Sequence, residues 1–260
     1  MRRLLLLFLA LAALAAAPAL AADKIKVGIM GGDAEVLWAK AKEIAARDGL
    51  DINLVVFSDY LLPNEALQAG DLDANAFQHK PFLANQIKAR GYKIVPVGET
   101  IVTPIGLYSK RVKAVADLKD GALIGIPNDP SNGGRALLLL QAEKLIRLKD
   151  GVGLLPTVFD VVDNPKRLKF QEVDAAQLPR SLEDLDAAVI NTNYAVDAGL
   201  IPGKDSIAIE SKVDNPYNNV IVVREADTQK PWVPKLVRAF QNDAIRQILK
   251  EQFPGQFPAF

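Results

Sequence analysis

The sequence predicts an α/β protein whose two lobes enclose a cleft. Short β-rich runs alternate with runs of helical periodicity along the chain. This alternation restarts midway, after a Lys-rich stretch near Ser109, and gives two units that are each small for an enzyme. Strands that alternate with helices favour mostly parallel sheets, which bind ligands at the carboxyl ends of their strands. We therefore expect the functional residues in loops that follow strands.

The first segment has the pattern of a secretory signal peptide. Arg2 and Arg3 precede an apolar run over residues 4–17, and the small residues Ala19 and Ala21 follow. The run is shorter than the roughly 20 residues that a membrane span needs, and Pro18 ends it. We expect residues 1–21 to be a signal peptide, cleaved after Ala21.

The first unit begins with a β-rich run at residues 25–30. Apolar residues at helical spacing follow up to Gly49, and residues 51–57 have the pattern of a strand covered on both faces. A short helix is predicted from Pro63 to Gly70 and another over 82–90, before Gly91. Strands are predicted at 93–97 and 101–108.

The second unit begins with a buried strand at 123–126. A polar loop at 127–134 leads into a long predicted helix at 134–148, and a further buried strand is expected at 187–190. The run at 220–223 is predicted to be a strand that returns to the first lobe, and residues 231–252 a closing amphipathic helix. The expected lobes are 23–105 plus 222–260, and 106–221.

Composition excludes several classes of function. Lys plus Arg and Asp plus Glu both number 31, so no basic excess is present to bind a nucleic-acid backbone. The chain has no cysteine, which excludes disulfides, thiol nucleophiles and thiolate metal sites. It has one histidine, His79, which excludes any site that needs two. No metal, no cofactor and no nucleic-acid partner are expected.

Polar and aromatic residues gather in loops at four places, namely 59–65, 71–82, 128–135, and 191–194 together with 215–219. Asp71, Asp73 and Asn75 have the spacing of a calcium loop, but its sixth position is Ala76 and its twelfth is Phe82, which excludes that motif. Ser131 lacks the G-x-S-x-G context of a serine hydrolase.

Other residues in these loops keep structural interpretations. His79 could simply cap a helix. Tyr60, Phe77 and Phe82 could belong to a hydrophobic core.

Arg135 indicates an anion site at a helix amino terminus. Gly133 and Gly134 precede it and free backbone amide groups there. A cation at this end of a helix is unfavourable unless an anion lies nearby, and a guanidinium can bind both oxygens of a carboxylate. With asparagines and aromatic residues in the other loops, this predicts a site for a zwitterion with an apolar tail, such as an amino acid.

Six stretches resemble the NlpA/MetQ family of methionine-binding proteins, which are the solute receptors of a bacterial methionine ABC importer. The resemblance runs from about residue 25 to 240 and is carried by 60–67, 70–81, 127–132, 151–156, 178–182 and 189–192. It implies a two-lobed fold of the type II-like periplasmic-binding-protein class, with a ligand cleft between the lobes. It also implies a receptor without catalytic activity.

The resemblance implies a role for each residue that matches the family's motifs. Arg135 would bind the ligand carboxylate, and Asn191 and Asn219 would hold the amino and carboxylate groups. The thioether would lie among Tyr60, Phe77, His79 and Phe82, since sulfur packs well against aromatic rings. Possible further ligand contacts are Asn128, Ser131, Asn193 and Tyr194.

The sequence departs from the family at two points. Phe82 stands where the family usually has tyrosine, which leaves the ligand open to another amino acid, D-methionine or a methionine-containing dipeptide. Most members have a lipid-bearing cysteine right after the signal peptide, whereas here Leu20-Ala21-Ala22 is followed by Asp23. We therefore expect an unlipidated protein, soluble in the periplasm.

The resemblance also implies partners. The receptor would be a monomer that presents methionine to the membrane permease and ATPase of the importer. The alternative from another class is an enzyme on the same scaffold with His79 as general base. It would need a partner nucleophile or metal ligand, and the sequence offers only carboxylates.

Overall fold

The computed structural model describes residues 23–260, so the predicted signal peptide lies outside the described residues. The strands are β1 (Asp23–Met30), β2 (Leu50–Phe57), β3 (Ala74–Asn75), β4 (Ile94–Glu99), β5 (Ile101–Val102), β6 (Gly106–Tyr108), β7 (Leu123–Pro127), β8 (Arg147–Leu148), β9 (Val161–Asp163), β10 (Lys169–Val173), β11 (Ala187–Ile190), β12 (Ser206–Ile209), β13 (Val220–Arg224) and β14 (Phe257–Pro258).

The α-helices are α1 (Asp33–Arg47), α2 (Leu62–Ala69), α3 (Lys80–Arg90), α4 (Pro130–Ala142), α5 (Leu178–Ser181), α6 (Thr192–Asp197), α7 (Trp232–Phe240) and α8 (Asp243–Gln252). The predicted stops Gly70 and Gly91 both adopt left-handed conformations at the ends of α2 and α3, which confirms their function as C-terminal caps. Within residues 23–260 no helix is both long and apolar enough to cross a membrane.

Two five-stranded sheets form the two lobes, as the predicted fold class requires. The first has the order β2-β1-β3-β13-β4 and the second the order β10-β7-β11-β6-β12. In each sheet two neighbouring pairs of strands are parallel and two are antiparallel. The sheets are therefore mixed rather than mostly parallel, because β13 and β6 run against their neighbours.

Two segments connect the lobes. Residues 103–105 lead from β5 to β6, and residues 210–219 lead from β12 to β13. We call them the first and second crossover. One backbone hydrogen bond joins them, because the Glu210 N–H donates to the Ile105 carbonyl, and the Asn219 N–H of the second crossover donates to the Ile101 carbonyl of β5.

Three of the predicted elements differ from the structure. Residues 101–108 form two strands, β5 and β6, because the chain leaves one lobe for the other between them. The closing helix is two helices, since the Asn242 side chain accepts a hydrogen bond from the Ile245 N–H and starts α8. The long helix begins earlier than predicted, at the N-cap Asp129, and ends at Ala142.

Strand β2 also differs from its predicted environment. It pairs only with β1 and lies at the edge of the first sheet, where Val56 is 50% exposed. The apolar run that predicted a strand covered on both faces is thus partly open to solvent.

Candidate functional site

A cavity lies between the two lobes and is lined by residues from both. It brings together eight residues predicted from the sequence: Tyr60, Phe77, His79, Phe82, Arg135, Asn191, Asn193 and Asn219. The lining does not include Asn128, Ser131 or Tyr194. Asn128 is exposed, and Ser131 donates its hydroxyl hydrogen to Asp129 at 2.8 Å, in the cap of α4.

Strand ends place these side chains in the cavity. Tyr60 follows β2, Phe77 and His79 follow β3, and Asn191 follows β11. The backbones of His79 and Asn219 pair in an isolated bridge, which fixes the second crossover against the first lobe. The cavity therefore forms where the carboxyl ends of strands from both sheets meet, as expected for α/β sheets.

Aromatic rings form one wall of the cavity. Phe77 and Phe82 pack edge to face at a centroid distance of 5.9 Å, and Tyr60 lies 5.9–6.1 Å from both. The Tyr60 hydroxyl donates to Oδ1 of Asn193 at 2.5 Å, a contact between the lobes. Burial raises the pKa of Tyr60 well above its usual value, so the hydroxyl stays protonated. Tyr194 packs on Tyr60 at 4.9 Å from outside the lining.

His79 both caps a helix and lines the cavity. Its Nδ1 accepts the Phe82 N–H at 3.1 Å, which makes it the N-cap of α3. Its Nε2 lies 3.2 Å from Oδ1 of Asn132 in the other lobe. Burial, assisted by the Arg135 charge, lowers the pKa of His79 to about 3. The imidazole is therefore neutral at physiological pH, with its proton on Nε2.

Asn132 is a cavity residue that the sequence analysis missed. Its Nδ2 donates to Asp129 at 2.8 Å, and its Oδ1 accepts from Nδ2 of Asn191 at 2.8 Å. These bonds orient the side-chain amide of Asn191. The buried Oδ1 of Asn191 has no hydrogen-bond partner in the described part of the chain. The signal was available, because Asn132 lies in the polar loop that predicted Arg135.

Three buried amides beneath the aromatic wall form a network. Asn64 and Gln78 exchange two hydrogen bonds, at 2.6 and 2.8 Å, and Asn75 donates to Asn64 at 2.9 Å. Gln78 also lines the cavity. Because Gln78 lies between Phe77 and His79, the network fixes the backbone that carries both side chains.

Arg135 differs in one respect from the expectation. Its side chain is 2% exposed, and its Nε and Nη2 donate to the two oxygens of Glu210 at 2.8 and 2.5 Å. Nη2 also donates to the Thr103 carbonyl at 2.9 Å. The anion that offsets this charge is therefore Glu210 of the same chain, and the bidentate edge of the guanidinium is occupied. Among residues 23–260, Nη1 has no hydrogen-bond acceptor.

The glycines before Arg135 also serve another purpose. A Cβ on Gly134 would lie 2.8 Å from the Leu154 carbonyl oxygen, and one on Gly133 would lie 2.7 Å from that of Pro127. Their small size lets α4 pack against its own lobe.

Within the described residues, no group of three or more histidine, aspartate or glutamate side chains is placed to hold a metal ion.

Comparison with known proteins gives consistent matches. A sequence model of the family described as NlpA lipoprotein matches residues 25–260. The D-methionine-binding lipoprotein MetQ of Salmonella typhimurium is 54% identical over 236 residues, which are 90% of this chain and 87% of the relative.

Solved structures match over similar lengths. A nutrient binding protein from Burkholderia cenocepacia bound to methionine has a TM-score of 0.88 and 51% identity, and the match covers 91% of this chain and all of that one (100%). An ABC transporter, periplasmic substrate-binding protein from Coxiella burnetii has a TM-score of 0.87 and 49% identity over 90% of this chain and 100% of the other.

The names of the relatives contradict the expectation of an unlipidated protein. The family and the Salmonella relative are both described as lipoproteins. The 260 residues contain no cysteine for a thioether-linked lipid, which was the basis of that expectation. The two observations disagree, and we withdraw the expectation.

Proposed function

The chain belongs to the NlpA lipoprotein family, and from this premise we propose that it is a periplasmic solute-binding protein that captures methionine and delivers it to an ABC importer. The observation that carries the proposal is a set of polar groups without hydrogen-bond partners around a cavity walled by aromatic rings. Among residues 23–260, Oδ1 of Asn191 and Nδ2 of Asn193 are buried without a hydrogen-bond partner, and the guanidinium of Arg135 and the side-chain amide of Asn219 line the same cavity. A zwitterion with an apolar tail would satisfy both parts of this lining.

Each group suits one part of methionine. Nη1 of Arg135 and the Asn219 amide are donors for the carboxylate, and Oδ1 of Asn191 is an acceptor for the ammonium group. Tyr60, Phe77 and Phe82 supply the apolar and polarisable surface that a thioether prefers. His79 contributes a neutral ring edge rather than a charge.

D-methionine is the second candidate ligand. The relative from Salmonella is named for D-methionine, whereas the Burkholderia structure is described as bound to methionine. Both stereoisomers present the same carboxylate, ammonium and thioether groups to the cavity, so titrations with each isomer are part of the test.

An enzymatic function is disfavoured by His79. Its Nδ1 accepts a backbone N–H and its Nε2–H faces Asn132, so neither nitrogen is free to take a proton from a substrate. We propose a receptor without catalytic activity.

The receptor cycle follows from the two crossovers. The sequence predicted lobes of residues 23–105 plus 222–260, and 106–221. Because all of β13 lies in the first sheet, we propose that the first lobe resumes at Val220 and that the lobes close over the ligand by a hinge at these segments. We propose a monomer, exported under the direction of residues 1–21, that docks with the permease and ATPase of the importer. The Coxiella neighbour, described as a periplasmic substrate-binding protein of an ABC transporter, supports this placement.

The proposal is tested by identifying the ligand. The purified protein is denatured and the released small molecules are analysed by mass spectrometry. The ligand-free protein is then titrated calorimetrically with L-methionine, D-methionine and alanine. We expect methionine to bind far more tightly than alanine. It should also stabilise the protein by about 2.7 kcal/mol at 100 times the dissociation constant, and make it more compact in solution scattering. Absence of binding to any amino acid would refute the receptor function.

A further inference from the structure

Groups of the chain itself hold the guanidinium of Arg135 on several sides. Glu210 takes the Nε–Nη2 edge, and the Thr103 carbonyl accepts a second hydrogen bond from Nη2. The ring of Tyr217 lies against its face, 4.1 Å from the guanidinium carbon. Thr103 belongs to the first crossover, and Glu210 and Tyr217 belong to the second. The residue proposed to bind the ligand carboxylate is thus attached to both connections between the lobes.

Glu210 is the centre of this arrangement. Besides Arg135, its Oε2 accepts from Nδ2 of Asn215 at 2.8 Å and from the Ile105 N–H at 3.4 Å. Its side chain is 13% exposed. A carboxylate with four donors in this environment is strongly held in one position.

A guanidinium without this partner would behave differently. An unpaired, fully buried cation is costly, so Arg135 would have to leave the cavity wall or draw in water whenever the cleft is empty. It would also be free to turn its bidentate edge toward the cavity. Glu210 prevents both changes, because it neutralises the charge and occupies the Nε–Nη2 edge, so that Nη1 alone has no acceptor within the described part of the chain.

We propose that Glu210 is a positioning residue for ligand recognition. It holds Arg135 so that Nη1 meets the ligand carboxylate, while the bidentate edge stays with Glu210 in both the empty and the loaded cleft. This inference rests on the proposed function, because it assigns how the same site recognises its carboxylate.

The test compares two ligands in Glu210→Gln, which removes the charge and keeps the shape of the side chain. The ligands are L-methionine and methioninamide, which retains the ammonium group and thioether but has no carboxylate. We expect the variant to bind L-methionine about tenfold or more weakly than the wild type, because a mobile Arg135 must be reordered. Affinity for methioninamide should change by less than about threefold, because this ligand does not depend on a charged contact with Arg135.

Asp214→Asn is the matched control. Asp214 lies on the same crossover, is exposed, and has a positive φ of 52° that asparagine also tolerates. This variant removes the same charge and should bind both ligands as the wild type does.

The outcomes separate this inference from the proposed function. Equal losses for the two ligands would indicate general damage to the cleft and would overturn the positioning role. Unchanged or tighter methionine binding in Glu210→Gln would overturn it too, while leaving the receptor function intact. Absence of methionine binding by the wild type would refute the proposed function itself.

A crystal structure of the wild-type protein with L-methionine is a second test, which does not require the variant to fold. We expect the ligand carboxylate to accept a hydrogen bond from Nη1 of Arg135. The hydrogen bonds from Nε and Nη2 of Arg135 to Glu210 should be retained. A carboxylate that displaces Glu210 from the Nε–Nη2 edge would contradict the inference.

Discussion

Nε2 of His79 lies 3.2 Å from Oδ1 of Asn132, so a neutral imidazole in one lobe donates to an amide in the other. The Asn132 amide also orients Asn191 through its Oδ1. Oδ1 of Asn132 therefore makes a contact between the lobes and also orients Asn191, a proposed ligand contact.

The first prediction concerns the protonation of His79. Its pKa in the folded protein is about 3, below the usual 6.5, because burial and Arg135 disfavour the imidazolium. As the pH falls, His79 therefore takes up a proton at a higher pH in the unfolded chain than in the folded protein. Below pH 6.5 the free energy of unfolding should decrease by up to about 1.4 kcal/mol per pH unit relative to His79→Gln, until pH 3 is approached.

Nuclear magnetic resonance checks this directly. The chain has a single histidine, so the imidazole signals need no assignment. They should not titrate between pH 5 and 8. A midpoint near 6.5 in the folded protein would contradict the buried, neutral state.

The second prediction is that Arg135→Ala lowers both binding and stability. Loss of the carboxylate contact should cost about 2–5 kcal/mol of methionine binding, a factor of tens to thousands. The variant also leaves Glu210 without its main partner, which should lower the free energy of unfolding by about 3 kcal/mol. Calorimetric titration and urea unfolding measure the two effects.

Two variants serve as comparisons for Arg135→Ala. Arg135→Lys should restore little of the methionine affinity that Arg135→Ala loses. A single ammonium group cannot bind both Glu210 oxygens and also reach the ligand carboxylate from the position of Nη1. Arg111→Ala breaks a more exposed ion pair, with Asp186 at 2.8 Å, and should leave binding unchanged. Near-normal methionine affinity in a folded Arg135→Ala variant would contradict the assignment of the methionine site to this cavity.

The third prediction separates the aromatic wall from the charged end of the cavity. Phe77→Leu should weaken binding of methionine more than binding of alanine, because the ring packs on the long side chain that alanine lacks. Arg135→Ala should weaken both similarly. Titration of both ligands decides this. Phe170→Leu, at a partly buried residue that packs against the core of the second lobe, serves as the control. Equal losses for the two ligands in Phe77→Leu would contradict the assignment of the wall.

The fourth prediction concerns the glycine before Arg135. Alanine normally stabilises a helix by up to about 1 kcal/mol relative to glycine. Gly134→Ala should instead destabilise the protein by about 1–3 kcal/mol, because the added methyl group meets the backbone of residues 154–155. Urea unfolding measures the change. A Cβ on Gly49 would have open space, so Gly49→Ala should show only the cost of its positive φ. Stabilisation by Gly134→Ala would show that the helix can move away.

Much of the fold could be predicted because the patterns are local. Glycine caps such as Gly70 and Gly91, and the buried strand β11, follow from short-range chemistry. The division of residues 101–108 into two strands could not be predicted, since both halves are apolar and only the tertiary arrangement separates them. The break between α7 and α8 depends on one cap, Asn242, within a continuous amphipathic pattern.

The site was predictable in its residue types but not in its pairings. The chemistry of Arg135 indicated an anion, yet its partner Glu210 is distant in sequence and follows the weakly patterned strand β12. Asn132 was missed although its neighbours were chosen, because the direction of an amide in a loop depends on the helix cap that it joins. The ligand roles of the eight cavity residues remain predictions for the experiments above.

The position of β13 has a consequence for biogenesis. This strand lies between β3 and β4, so Val220 pairs with Glu99, whereas all strands of the second sheet lie between residues 106 and 209. A chain that emerges from its amino terminus can therefore complete the second sheet while the first still lacks an interior strand. We expect folding to be ordered, with the middle of the chain protected early and both ends late in pulsed hydrogen exchange. The first sheet would keep an open edge at β3 until residues 220–224 are available to pair with it.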